Sequence, residues 1–258
     1  MIAQVIKTFK YRDLLINLII KELKVRYRGA VLGYAWSLLN PILMMIVYTV
    51  VFSYVVRIKV ENYPVFLLCA LLPWTFFAMA LTNASNSIVD NFSLINKVYF
   101  PREIFPISVV LSTLVHLLIS MVLLIIFLLL THTKSAFPIL LLPLVIIAHV
   151  IFTIGLALIL SCLIVFFRDL KYILEVLITV WFYSTPIIYP VAMVPEQFRL
   201  LYDLNPMVWI ISMYRSILLY GENPAIFKLL LIYVISFFML FIGHYIFQKY
   251  DSAIPKTV

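Results

Sequence analysis

ISMVLLIIFLLL, residues Ile119–Leu130, and ILLLPLVIIAHVIFTIGLALILSCLIVFF, residues Ile139–Phe167, contain no Asp, Glu, Lys or Arg. In hydrocarbon every backbone N–H and C=O needs an internal partner, which only helices and closed barrels supply. A barrel strand reads as roughly 10 residues alternating between apolar and polar. These runs do not alternate, and they are far longer, so they are read as helices. Scanning outward for about 20 apolar residues per crossing predicts six spans: Ala35–Val56, Val65–Val89, Ile104–Thr131, Phe137–Phe167, Tyr172–Tyr189 and Ala225–Phe247. The third and fourth are longer than about 30 Å of hydrocarbon requires, so they are expected to tilt or project from it.

The whole chain agrees. Of 258 residues 65% are hydrophobic and 12% charged, against about 25% charged in soluble domains. With a mean hydropathy of +1.13, too little polar surface exists to cover a soluble globule. A soluble enzyme, a disordered chain and a disulfide scaffold are excluded. Thirteen of the 19 Lys and Arg residues fall on one side of the spans: Lys7, Lys10, Arg12, Lys21, Lys24, Arg26 and Arg28 before the first, then Lys97, Arg102, Arg168, Lys171, Lys249 and Lys256. That asymmetry puts both termini in the cytoplasm. It also makes the net charge of +8 a topology signal, with no nucleic-acid partner implied. The first 34 residues are too charged for a cleaved signal peptide. Cys69 and Cys162 fall in opposite leaflets, beyond the ~7 Å reach of a disulfide.

Three segments are not simple spans. In Met1–Gly33, Phe9, Leu14, Leu15, Leu18, Ile19, Leu23 and Val25 recur at helical spacing among basic residues, the pattern of a helix lying in the headgroup plane. Either it is a plain anchor, or Lys21, Lys24, Arg26 and Arg28 cradle a lipid phosphate or pyrophosphate, the two arginines in bidentate fashion. Asp90–Glu103, DNFSLINKVYFPRE, mixes apolar residues with Asn91, Asn96 and Lys97 and fits a short helix parallel to the membrane, resting on lipid or seated in a soluble partner. Pro190–Pro224 is a long, semi-apolar outer loop. Pro195 is placed to open a helix through Tyr202, Asn205-Pro206 breaks it, and Gly221 closes a second one. Residues 206–220 reach only about 22 Å at helical rise, so two interfacial or re-entrant helices forming a gate are expected.

Several chemistries are missing from the sequence. It has no GxxxxGK[ST] phosphate loop, no HExxH, no Cys/His cluster and no nucleophile elbow. His116 and His149 lie inside spans and read best as neutral side chains hydrogen-bonded between helices. With no carboxylate constellation inside a span, the energy for any transport must come from another polypeptide. Aromatic residues make up 16% of the chain. Tyr48 and Phe52 share a face of span one, and Trp181, Phe182, Tyr183 and Tyr189 crowd span five. Such rings stack on sugar C–H faces; they also populate interfacial belts.

RYRGAVLGYAWSLLNPIL (Arg26–Leu43), NKVYFPREIFP (Asn96–Pro106), FRDLKYIL (Phe167–Leu174), STPIIYP (Ser184–Pro190) and LNP…YR (Leu204–Pro206, Tyr214–Arg215) occur in that order. Together they resemble the polysaccharide-exporting ABC permeases, the Wzm-like membrane subunits for O-antigen and their teichoic acid counterparts. The resemblance spans essentially the whole chain. It implies an all-α integral membrane fold of the type-2 ABC exporter kind: an interface helix over 1–34 and a six-helix transmembrane domain over 35–258. It further implies a homodimer in the bacterial cytoplasmic membrane, docked to two ATP-binding cassette subunits that bind ATP and Mg, with no cofactor in this chain. The substrate implied is an undecaprenyl-pyrophosphate-linked polysaccharide.

Carried over by residue, the resemblance makes Lys21, Lys24, Arg26 and Arg28 the entrance for the pyrophosphate head. Asn91, Phe92, Asn96, Lys97, Tyr99 and Pro101 become part of a coupling helix over about 91–101. Trp36, Tyr48, Phe52, Trp181, Tyr183 and Tyr189 become channel aromatics. Pro195, Tyr202, Asn205, Pro206, Tyr214 and Arg215 belong to outer gate helices over about 190–221. A drug or small-lipid exporter of the same fold is the nearest alternative. A membrane glycosyltransferase would require paired acidic residues, whereas Asp90, Asp169, Asp203 and Asp251 stand alone; an ungated channel would not need Asp90–Glu103.

Overall fold

Tyr63–Asp90 is the hub on which the other helices are laid. A computed structural model describes residues 11–26, 28–29, 33–95, 100–130 and 138–251, and these form helices and connecting loops. The helices are α1 (Arg12–Arg26), α2 (Trp36–Thr49), α3 (Tyr63–Asp90), α4 (Phe92–Ile95), α5 (Ile104–Leu130), α6 (Leu142–Phe166), α7 (Leu170–Tyr183), α8 (Glu196–Asp203), α9 (Pro206–Arg215) and α10 (Ile226–Tyr250). Among the described residues five helical stretches are long and apolar enough to cross a membrane: Trp36–Val55, Tyr63–Asp90, Ile104–Leu129, Pro138–Phe166 and Ile226–Tyr250. Each lies within a few residues of its predicted limits. The chain is a multi-pass membrane protein.

The fifth predicted span differs. Tyr172–Tyr189 is helical only within Leu170–Tyr183, which covers about 21 Å at 1.5 Å per residue. Pro186 lacks an N–H and disfavours helix at the residue before it, so Ser184–Pro190 leaves the helix and runs on as irregular backbone. That backbone is tied down. The Tyr63 hydroxyl donates to the Ile188 carbonyl at 2.7 Å, and the Arg215 guanidinium donates to the carbonyls of Pro186 and Ile187 at 2.6 and 2.7 Å.

Helix α3 owes its central place to small residues at the contacts. Cys69, Ala70, Ala80 and Ala84 are fully buried and let neighbouring backbones approach, while Phe66, Leu67, Leu68 and Phe77 fill the space between. The tightest crossing is α6 on α10. A Cβ on Gly155 would lie 2.6 Å from the Leu240 backbone nitrogen, so only glycine fits. Beside it the Ser236 hydroxyl donates to the Ala148 carbonyl at 2.9 Å. At the other extreme, α2 buries no residue and α7 buries only Leu174.

A second apolar cluster closes the end of the bundle opposite Tyr63. Leu18 of α1 is buried there with Ile88, Phe105, Cys162 and Phe247, and Leu14 and Leu15 pack against them. Helix α1 does not have one apolar face. Val25, expected with the packed residues, is 57% exposed, and Ile16 and Ile20 also face outward. The residues of the predicted interface helix before Tyr11 lie outside the described residues.

Candidate functional site

Helices α8 and α9 begin where proline and asparagine place them. Pro195 precedes α8 and Pro206 opens α9. The Asn205 side chain accepts the Met207 N–H at 3.0 Å, which satisfies one of the donors a helix start leaves bare. Gly221, at φ 64°, ends the π-helical turn Ser216–Tyr220 that continues α9. The same Asn205 accepts a hydrogen bond from the Trp181 indole at 2.9 Å and donates to Thr185 Oγ1 at 3.0 Å. Trp181 in turn stands edge-on to Phe77, 5.0 Å between centroids. Ten residues on, Arg215 lies over the Phe66 ring at 3.6 Å. Phe77 to Phe66 is about 16 Å along α3 and Asn205 to Arg215 about 15 Å along α9, so α9 runs antiparallel to α3 at matching depth.

These helices and the segment from Phe52 to Ile58, just beyond α2, border an open cavity of about 720 Å³. Phe52, Tyr189, Pro195, Tyr202 and Asn205 line it, with Ser184, Phe198 and Leu201. Five residues expected from sequence at the channel or gate thus converge from three separate segments. The Tyr189 hydroxyl donates to the Tyr183 carbonyl and pairs with the Tyr202 hydroxyl, both at 2.6 Å. Tyr48 stacks on Phe182 at 6.3 Å, beside this cavity rather than in its wall. Tyr183 is exposed, and Tyr214 is wholly buried against His149. Aromatic faces with a few hydroxyls and one amide suit a sugar chain, which offers C–H faces and hydroxyls together.

Two further cavities share Arg26. One, of about 370 Å³, is walled by Lys21, Glu22 and Arg26 of α1 and by Thr82, Asn83, Asn86, Ser87 and Asp90 of α3. The other, of about 260 Å³, holds Trp36, Asn40, Thr75, His116 and Ser120. Lys21 donates to Asn91 Oδ1 at 2.6 Å, and Asn91 donates to the Ser87 carbonyl at 2.8 Å. Of the four predicted headgroup cations, Lys21 and Arg26 share a cavity, whereas Lys24 and Arg28 are exposed outside it. The polar wall of α3 was missed in the sequence, although TNASNS (Thr82–Ser87) interrupts an apolar span and signals it.

Of the coupling segment, Asn91 is buried at the end of α3 and Phe92 opens the one-turn α4; Asn96, Lys97 and Tyr99 lie outside the described residues. Past Pro101, Arg102 forms an ion pair with Asp251 at 3.2 Å, and Glu103 meets His244 at 3.1 Å, with Gln248 on the other ring nitrogen at 2.7 Å. Burial pushes the Glu103 carboxyl above the ordinary glutamate range, with His244 opposing the shift. The base of α5 is thereby tied to the base of α10. His149 is not hydrogen-bonded between helices as expected. It sits wholly buried among Phe76, Phe77 and Tyr214, and neither ring nitrogen has a hydrogen-bond partner among the described residues. Among the described residues no three His, Cys, Asp or Glu side chains are grouped to hold a metal.

The ABC-2 type transporter family matches residues 13–219. The O-antigen export system permease protein RfbA of Myxococcus xanthus is 35% identical over 260 residues, the whole of both chains. A Klebsiella pneumoniae protein of the same name is 36% identical over 239 residues, 92% of each chain. The polysialic acid transport protein KpsM of Escherichia coli is 23% identical over 243 residues, covering 92% of this chain and 93% of its own.

Proposed function

The chain belongs to the ABC-2 type transporter family, and from that premise we propose that it is the permease subunit of an exporter moving a polyprenyl-diphosphate-linked polysaccharide of the O-antigen kind. The observation that carries this reading is the outer cavity. Phe52, Tyr189, Tyr202 and Asn205 come together on it in a chain that aligns along its full length with an O-antigen export permease. The substrate travels from the cytoplasm outward across the cytoplasmic membrane, where both termini of this chain stay on the inner side. ATP and Mg are bound by two separate ATP-binding cassette subunits, and a second copy of this chain completes the conduit. The exposed apolar stretch Trp36–Val55, with Val47, Val50, Val51 and Tyr54 all uncovered, leaves a surface for that copy.

In this reading α7 and the irregular Ser184–Pro190 together make a sixth crossing. The bond from Tyr63, at the start of α3, to Ile188 supports it. Helices α8 and α9 act as the outer gate, and the antiparallel match of α9 to α3 supports a re-entrant course. The α1 cations hold the diphosphate, and the rings at the outer mouth stack on successive sugars while tyrosine hydroxyls and Asn205 exchange hydrogen bonds with theirs. Force from the ATP-binding subunits arrives through the segment after Asp90 and reaches α5 and α10 together through Glu103–His244 and Arg102–Asp251.

The test is reconstitution. Vesicles holding this chain, its ATP-binding partner and a lipid-linked glycan are expected to move polymer to the far side only with ATP and both polypeptides. Movement without the partner, or none from the complete set, overturns the assignment.

A further inference from the structure

The inner cavity between α1 and α3 carries more than a phosphate site needs. On the α1 wall Lys21 and Arg26 supply positive charge beside Glu22, whose carboxylate lies 3.7 Å from the Lys21 ammonium. The facing wall offers Thr82, Asn83 and Asn86 with the carboxylate of Asp90. Asn83, Asn86 and Asp90 stand at i, i+3 and i+7, one face of α3. Asn83 and Asp90 are exposed to the cavity's open side. Lys21 is fixed in place by Asn91, which is itself anchored on Ser87.

We propose that this cavity reads the first sugar of the substrate, with Asn83, Asn86 and Asp90 binding the ring while Lys21 and Arg26 face the diphosphate that joins it to the lipid. The inference rests on the export reading above and adds a sugar-selective subsite to it. Three observations carry it. Depth is the first: Tyr63 to Asn83 is about 30 Å along α3, the thickness of the hydrocarbon, so Asn83 stands where a carrier's headgroup sits with its tail still in lipid. Donor chemistry is the second. A carboxylate repels a bare phosphate group, so Asp90 adds nothing to a site for anionic headgroups alone. Sugar hydroxyls donate to a carboxylate and both give to and accept from an amide. Size is the third: about 370 Å³ falls in the range of small-molecule sites and admits a monosaccharide.

The experiment measures binding to the full chain in lipid nanodiscs. Its probes are farnesyl diphosphate, farnesyl diphosphate bearing N-acetylglucosamine or galactose, and phosphatidylglycerol. The wild type is expected to bind at least one sugar-bearing probe about tenfold more tightly than farnesyl diphosphate, the scale of one hydrogen bond to a charged group. Asn83→Ala with Asn86→Ala should abolish that preference and leave farnesyl diphosphate within twofold of wild type; Asp90→Asn, which also removes the carboxylate's repulsion, should abolish the preference while binding farnesyl diphosphate at least as tightly as wild type. Lys21→Ala with Arg26→Ala should weaken all three diphosphates alike. Equal binding of bare and sugar-bearing diphosphates by the wild type, or a preference that survives both α3 variants, overturns the sugar subsite and leaves the export reading standing. If no diphosphate binds better than phosphatidylglycerol, the headgroup site of the export reading fails as well.

Discussion

Helices α3 and α2 are nearly equal in hydropathy and opposite in surroundings. Mean hydropathy over the crossing stretch is 2.1 for α3 and 1.9 for α2 with its extension. Yet α3 is buried along most of its length and α2 buries nothing. Hydropathy reports that a helix dissolves in lipid; it is silent on whether lipid, protein or substrate touches it. In hydrocarbon there is no solvent penalty to drive one apolar helix onto another, so packing is decided by small residues and by polar handles. Helix α3 has Cys69, Ala70, Ala80 and Ala84 for close approach and Tyr63 as a handle. The stretch Trp36–Val55 presents Met44, Val47, Val51 and Tyr54, which are bulky and left exposed among the described residues.

The sharpest way to break that contrast is to truncate one side chain on each helix. Phe77 of α3 is wholly buried, stacked on Phe152 at 6.0 Å and edge-on to Trp181. Phe77→Ala should cost about 3 kcal/mol of stability, in the usual range for deleting a buried aromatic. Val47→Ala on α2 should change it by less than about 0.5 kcal/mol. Thermal unfolding of both variants in nanodiscs decides the matter, and equal losses would mean that α2 is packed as firmly as α3. Next in size is Gly243→Ala at the α6–α10 crossing, where the added methyl meets the Gly155 backbone. Backbone cannot rotate away as a side chain does, so a loss of about 2 kcal/mol is expected, within the overpacking range. An unchanged unfolding temperature would show that the two helices have room to part.

The sequence carried the helices far better than their neighbours. Five of the predicted spans stand within a few residues of their limits, because a run of about 20 apolar residues is a property of the chain alone. The starts of α8 and α9 were legible for the same local reason, Pro195 and Asn205-Pro206 acting within one turn. Convergence was not legible. Nothing in the spacing of Phe52, Tyr189 and Tyr202 says that they meet, and nothing about Arg26 and Arg28 says that one faces a cavity and the other solvent. The shortened α7 follows from Pro186, which was visible but outweighed by the hydropathy of Tyr172–Tyr189. The polar wall of α3 was visible too, and was absorbed into an apolar average.

The smallest expected effect tests whether burial also governs the charged groups at the base of α5 and α10. Glu103 has only 14% of its side chain exposed and meets His244 across the α5–α10 contact. Burial raises its carboxyl above the ordinary value of 4.5. An acid whose folded-state pKa exceeds its unfolded value adds stability that is complete below the unfolded pKa and fades as pH rises through the folded one. Wild-type Tm should therefore fall as pH is raised from 4.5, with His244 limiting the drop by holding the carboxylate. Glu103→Gln keeps a hydrogen-bonding partner for His244 and cannot ionise. Its Tm should fall less over the same range, by a margin worth about 1 kcal/mol or less. A variant that loses stability with pH as steeply as the wild type would show that the carboxylate is as well solvated at the base of α5 as it is in the unfolded chain.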